Sequence, residues 1–149
     1  MPEGITIKIE GLEKLKDAFK KSPGIVREQI QKAIALSVAL VNREAKIEAP
    51  VRTGRLRSSI RSRIQPFKGI VEPTVDYAIY VHEGTSAHII RPVRRKALYW
   101  KGAKHPVKMV HHPGTKANPF MKRGAEKAEG KVQAIFQRAI NNIARQLAI

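Results

Sequence analysis

Three histidines, His105, His111 and His112, fall within an eight-residue stretch, the nearest thing in this chain to a metal-ligand cluster. A metal site needs two or three such ligands with carboxylates at fixed spacing. Here the surrounding charges are lysines and arginines, which repel a divalent ion, and the flanking acids, Glu83 and Glu126, are distant in sequence. They read as loop histidines, and no metal is expected. A second set has the residue types of a hydrolase: Asp76, His82 and Glu83 lie close together, with Ser58, Ser59 and Ser86 available. No Gly-x-Ser-x-Gly elbow frames any of these serines. A nuclease would need carboxylates around a metal, in a region that is poor in acid. The phosphate-cradling patterns GxxxxGK[ST] and GxGxxG are absent, and the Thr53-Gly54 turn is no substitute. The expectation is a protein that is not an enzyme, with no catalytic residues, no cofactor and no small-molecule substrate.

Cationic side chains are the stronger signal. Between Ala49 and Arg123 there are sixteen Lys and Arg against three carboxylates, Glu72, Asp76 and Glu83, and none separates Glu83 from Glu126. The whole chain of 149 residues carries a formal charge of +17. Solubility needs only mixed signs and a modest net charge. Such one-sided charge points to a polyanionic partner or to acidic neighbours in an assembly. One set comprises Arg52, Arg55, Arg57, Arg61 and Arg63. Another comprises Arg91, Arg94, Arg95, Lys96, Lys101, Lys104 and Lys108, with Tyr99 and Trp100 interleaved. Cations with aromatics can track a phosphate backbone; they equally suit a solvated face making protein contacts. No helix-turn-helix, zinc-finger or RRM signature supports reading of base sequence.

The elements that must carry these residues follow from periodicity. Ile5, Ile7 and Ile9 alternate with polar residues as in a short strand. Leu12, Leu15 and Phe19 recur at helical spacing. From Ile25 to Ala49 the apolar positions Val26, Ile30, Ile34, Val38, Val41 and Ala45 form one stripe on a helix of about 24 residues, roughly 36 Å long. Ser22 suits its N-cap, Pro23 its first position, and Pro50 ends it. Thr53-Gly54 predicts a turn and Arg55-Leu56-Arg57 a short helical turn. Ile60 to Ile64 reads as a strand with Ile60 and Ile64 inward and Arg61 and Arg63 outward. A turn at Phe67-Lys68-Gly69 leads to a partner strand, Ile70 to Val75, placed at an edge or bulge by Pro73. Residues 77–85 fit either a strand or a short helix. The basic stretch of about 86–118 reads as a long hairpin or flap with weak strands near His88–Val93, Ala97–Trp100 and Val107–His111. Asn118-Pro119 starts a last helix, weakened by Gly124 and Gly130, with the stripe Val132, Phe136, Ala139, Ile140, Ile143 and Leu147.

Cysteine is absent, which excludes disulfides, thiolate metal sites and a cysteine nucleophile, and fits a reducing compartment. No apolar run approaches the roughly 20 residues of a membrane span. The N-terminus lacks the basic and apolar regions of a signal peptide. A single domain over 1–149 is expected.

Three segments in order carry a resemblance: Pro50-Val51-Arg52-Thr53-Gly54-Arg55-Leu56-Arg57-Ser58-Ser59-Ile60 after the long helix, Tyr77-Ala78-Ile79-Tyr80-Val81-His82-Glu83-Gly84-Thr85, and His112 to Met121, containing Asn118-Pro119-Phe120, before the last helix. Together they resemble the head–tail connector and tail-completion (neck, minor tail) family of long-tailed bacteriophages and prophages, typified by the lambdoid "gene product ten", over roughly residues 10 to 147. The resemblance implies a structural virion protein, similar in fold to ring-forming tail-terminator proteins. Pro50, Thr53, Gly54, Leu56, Tyr77, Tyr80, Glu83, Gly84, Pro119 and Phe120 are its motif residues. It implies an α+β domain: two long amphipathic helices packed on a small antiparallel sheet, with the basic flap projecting. It implies copies of the chain and adjacent neck and tail proteins as partners, in the virion and, during assembly, the host cytoplasm; the charge adds non-specific contact with duplex DNA. The candidate nucleic-acid or partner-binding residues are Arg61, Arg63, Arg94, Arg95, Lys96, Trp100, Lys101, Lys104 and Lys108. The alternative is a free basic protein, monomer or dimer, that binds DNA without regard to sequence.

Overall fold

The computed structural model describes residues 4–9 and 24–146. Along the chain run β1 (Ile7–Ile9), α1 (Gly24–Glu48), α2 (Arg55–Ser59), β2 (Ile60–Gln65), β3 (Lys68–Pro73), α3 (Ala78–Glu83), β4 (His88–Ile90), β5 (Val110–His112) and α4 (Phe120–Gln146). The two long helices pack on each other, and α1 covers an antiparallel sheet of order β1-β3-β2. This is the α+β architecture expected. The predicted cap at Ser22-Pro23, the short helix through Leu12, Leu15 and Phe19, and Leu147 lie outside the described residues.

α1 forms where its stripe predicts. Val26, Ile30, Ile34, Val38, Val41 and Ala45 are buried, joined by Ala33 and Ser37. Its ladder closes with the Ala49 N–H donating to the Ala45 carbonyl at 3.0 Å. Pro50 has no N–H to continue it. Gly54, at φ +80, then reverses the chain into α2, a conformation glycine adopts without a Cβ penalty.

The sheet differs from expectation in three ways. β3 is the central strand, flanked by β1 (Ile7↔Val71) and β2 (Ser62↔Val71). Pro73 sits at its last position, opposite Ile60, beyond the reach of β1, so its missing N–H interrupts no inner ladder. The hairpin turn is Pro66-Phe67, since Gln65 already pairs with Lys68. Phe67 takes φ +63 there, a strained value for a bulky residue, while its ring packs against the core. Finally, Ile64 is 55 % exposed although Ile60 on the same strand face is fully buried. The cover over β2 ends after its first residue, so the strand's far end lies in solvent.

α4 keeps the predicted stripe at Ala139 and Ile143, with Val132 and Phe136 packed against the core, loses Ile140, and extends the buried line toward its start. Phe120, Met121, Gly124, Ala128, Ala139 and Ile143 are buried, Val132 and Phe136 only half-buried, and Ile140 is 45 % exposed. Small residues dominate the line because the backbones approach closely. A β-carbon on Gly124 would come within 2.7 Å of the Ala45 backbone. The side chain of Asn118 does not cap the helix; its Oδ1 accepts from the Arg123 guanidinium at 2.6 Å.

Candidate interaction surface

The three motif segments, far apart in sequence, meet at α3. Ala78 is buried and the His82 ring stands edge-on to Phe120, centroids 5.6 Å apart. The Asn118 N–H donates to the Val81 carbonyl at 3.0 Å, tying the last segment to the second. On one side of α3, Pro50, Thr53, Gly54 and Leu56 form a hollow of about 570 Å³ with Tyr77 and Val81, rimmed by Arg52 and Arg55. On the other, Tyr80 and Gly84 border a second depression with Thr85, His88, His112 and Thr115. The residues once eligible for hydrolysis are dispersed. His82 is buried and its Nδ1 lies 2.6 Å from Glu83 Oε1, while Ser58 and Ser59 donate to backbone carbonyls of α2. Among the described residues, no serine hydroxyl bonds to His82.

The basic stretch leaves the body at Gly84 and returns at Gly114, both with positive φ. Each segment lies where the other's β-carbon would be. A Cβ on Gly84 would stand 2.5 Å from the Thr115 carbonyl oxygen, and one on Gly114 would collide with the Thr85 carbonyl oxygen. Between them Thr85 and Thr115 exchange both backbone hydrogen bonds, at 2.9 and 3.0 Å. Beyond this root the chain forms a two-stranded antiparallel ribbon. His88 pairs with His112, Ile90 with Val110, and Leu98 bridges Val107 further out. The expected hairpin is present: the strands near His88–Val93 and Val107–His111 form as β4 and β5, and the one near Ala97–Trp100 is reduced to that single bridge. β4 and β5 pack chiefly on each other, so the ribbon projects as an arm.

Of the histidine cluster, only His112 finds another imidazole, and it is one that spacing did not point to. It stacks on His88, centroids 4.9 Å apart, while the Gly114 N–H donates to its Nδ1. His88 was reachable in principle from strand register, since residues opposite in an antiparallel pair share a face. Among the described residues, no three His, Cys, Asp or Glu side chains are grouped as a metal site requires.

The predicted cations divide into two surfaces. Arg61 and Arg63 lie on the outer face of the sheet with Glu72, and Arg63 is ion-paired to Glu72 at 2.5 Å. Arg94, Arg95, Lys96, Lys101, Lys104 and Lys108 are exposed along the arm. So are Val93, Tyr99 and Trp100, at 96, 68 and 50 %. A single acidic side chain joins the long helices: Glu48, at the end of α1, accepts from Arg123 Nε at 2.8 Å and from the Lys127 ammonium. These bonds, Arg123 first, hold its carboxyl below the usual glutamate range.

Two long helices packed on each other, an antiparallel sheet covered by α1, and ordered motifs meeting at the root of a basic arm make a small α+β domain. Residues 13–84 match the family model described as "Bacteriophage HK97-gp10, putative tail-component". Over just under half its length, the chain is similar to that family. The match takes in α1 and the first two motif segments through Gly84; the arm, the third segment and α4 lie beyond it. No curated protein matches the chain, and no solved structure does. Among the described residues no helix is long and apolar enough to cross a membrane.

Proposed function

We propose that this protein is a structural component of the neck or tail of a phage or prophage particle. Copies associate there, as a ring at the head–tail junction, to complete the tail or join it to the head. The observation that carries this reading is the arm. It exposes Val93, Tyr99 and Trp100 to solvent. Large apolar side chains exposed together on one segment suit a site of protein contact. A ring built from one chain needs two different surfaces that meet head to tail. The arm is one; the hollow of Pro50, Thr53, Gly54, Leu56, Tyr77 and Val81 is a candidate for the other. Its rim arginines also suit acidic groups on an adjacent tail protein. Arg61 and, through its pairing with Glu72, Arg63 serve the outer sheet face.

The test is removal of residues 87–111 with the ends rejoined. The shortened chain is expected to keep the helical circular dichroism of the body. It should fail to form the rings that negative-stain imaging looks for, and fail to complete tails in an assembly assay. Normal infectious particles from the shortened chain would refute the reading.

A further inference from the structure

We propose that the arm is a binding element for the phosphate backbone of duplex DNA. The assembly reading rests on the apolar side chains of the same arm, whereas this inference rests on its cations. Several of the body's acids are already engaged: Glu28 by Lys32, Glu44 by Arg43, Glu48 by Arg123 and Lys127, Glu72 by Arg63. The seven cations from Arg91 to Lys108 are all exposed, and among the described residues none makes an ion pair. The arm contains no acid to supply one, since none lies between Glu83 and Glu126.

An acidic protein surface is the competing partner, and composition weighs against it. Protein interfaces are depleted in lysine, whereas four of the seven cations are lysines. Charge density weighs in the same direction. The seven cations all lie on the irregular stretch between β4 and β5, which those two paired strands hold together at its base. A duplex presents one negative charge per roughly 1.7 Å, a density suited to seven cations within eighteen residues of chain. The arm holds no Asn, Gln, Asp or Glu, the side chains that pair with adenine or cytosine edges. Contacts from its Arg and Lys to phosphates carry no sequence information, so binding through them is indifferent to sequence. Trp100, the sole tryptophan, lies exposed among the cations and reports occupancy through its emission.

The experiment uses the purified full-length chain and a labelled mixed-sequence duplex of about 30 base pairs, followed by anisotropy and Trp100 emission. Binding is expected at about 50 mM salt and is lost towards about 200 mM, with log K falling by about 0.9 per phosphate contacted for each decade of salt. Replacing Arg94, Arg95 and Lys96 by Gln, or Lys101, Lys104 and Lys108 by Gln, should flatten that slope by about 2 to 3 in each case. A control lacking the exposed helix cations Arg27, Lys131 and Arg138 carries the same net charge and should keep the wild-type slope. An equal loss in the control would reduce the effect to bulk charge and overturn the assignment. Competition by polyglutamate as effective as by unlabelled duplex of equal charge would transfer the arm to an acidic protein partner. Tighter binding of a single strand of matched charge would rule out the duplex. Tail completion is a separate assay, so failure of DNA binding leaves the assembly reading standing.

Discussion

Gly124 of α4 meets the backbone of Ala45 of α1 so closely that a β-carbon on residue 124 would stand 2.7 Å from both Cα and N of Ala45. The obstacle is main chain, which cannot rotate aside, so a methyl group there must push the helices apart. Overpacking of this kind costs about 1–3 kcal/mol, against a helix-propensity gain of about 1 kcal/mol for Gly to Ala. Gly130, six residues on, has open space where its Cβ would be. Gly124→Ala should therefore destabilise and Gly130→Ala stabilise by about 0.5–1 kcal/mol, read as opposite shifts of the urea midpoint. Shifts of the same sign would show that the crossing is not at Gly124.

Ser37 lies in the middle of the buried face of α1, fully buried, and its hydroxyl has no hydrogen-bond partner among the described residues. A buried hydroxyl without a partner costs about 1–3 kcal/mol, and alanine is the better helix former. Ser37→Ala should raise stability by about 1 kcal/mol. Its neighbour Ile34 is fully buried, so Ile34→Ala should lower stability by about 2–5 kcal/mol. A destabilising Ser37→Ala would reveal a partner for the hydroxyl.

The contrast between the long helices explains what the sequence made legible. α1 carries large apolar residues at helical spacing against a sheet, so hydrophobicity alone locates its buried face. On α4 the buried face is set by close approach and is marked by Gly124 and Ala128, residues that a search for large side chains passes over. Phe136 and Ile140 drew that reading toward the rim, and Phe136→Ala should cost less than Ile34→Ala. The arm was legible as a hairpin from its prolines, glycines and charge. The convergence of three segments on α3, and the His88–His112 stack, were not, since both depend on pairing between distant residues.

Glu48 sits at the C-terminal end of α1, where the helix dipole disfavours an anion, and Arg123 sits in the first turn of α4, where it disfavours a cation, with Lys127 one turn further on. Their mutual bonds offset both misplacements and fasten one helix to the other. Those bonds lower the folded-state pKa of Glu48. A depressed carboxylate contributes stability that is present above its unfolded value, about 4.3, and lost as pH falls through the lower folded value. Glu48→Gln should therefore destabilise the protein at neutral pH, with the difference from wild type shrinking as pH falls below about 4.3. Urea titrations at several pH values measure this. A difference that stays constant down to the acid end would show that the carboxylate's charge is not what joins the helices.

The root of the arm depends on two glycines that exclude any side chain, and the arm itself packs chiefly on its own strands. Damage at the root should therefore stay local. Gly114→Ala places a methyl group against the Thr85 carbonyl and into a backbone at φ +91, where an L-residue is strained by about 1–3 kcal/mol. The paired bonds between Thr85 and Thr115 should open, and their amides should exchange faster with solvent. Amides of Ile34 and Val38, in the helix core, should keep their protection. Gly102 also has positive φ, but with nothing within 4 Å of its absent Cβ. Gly102→Ala supplies strain without collision and should leave the Thr85 and Thr115 amides unchanged. Loss of protection at Ile34 and Val38 in the Gly114 variant would mean that root and body open as one unit, and the arm could not then be an independent element.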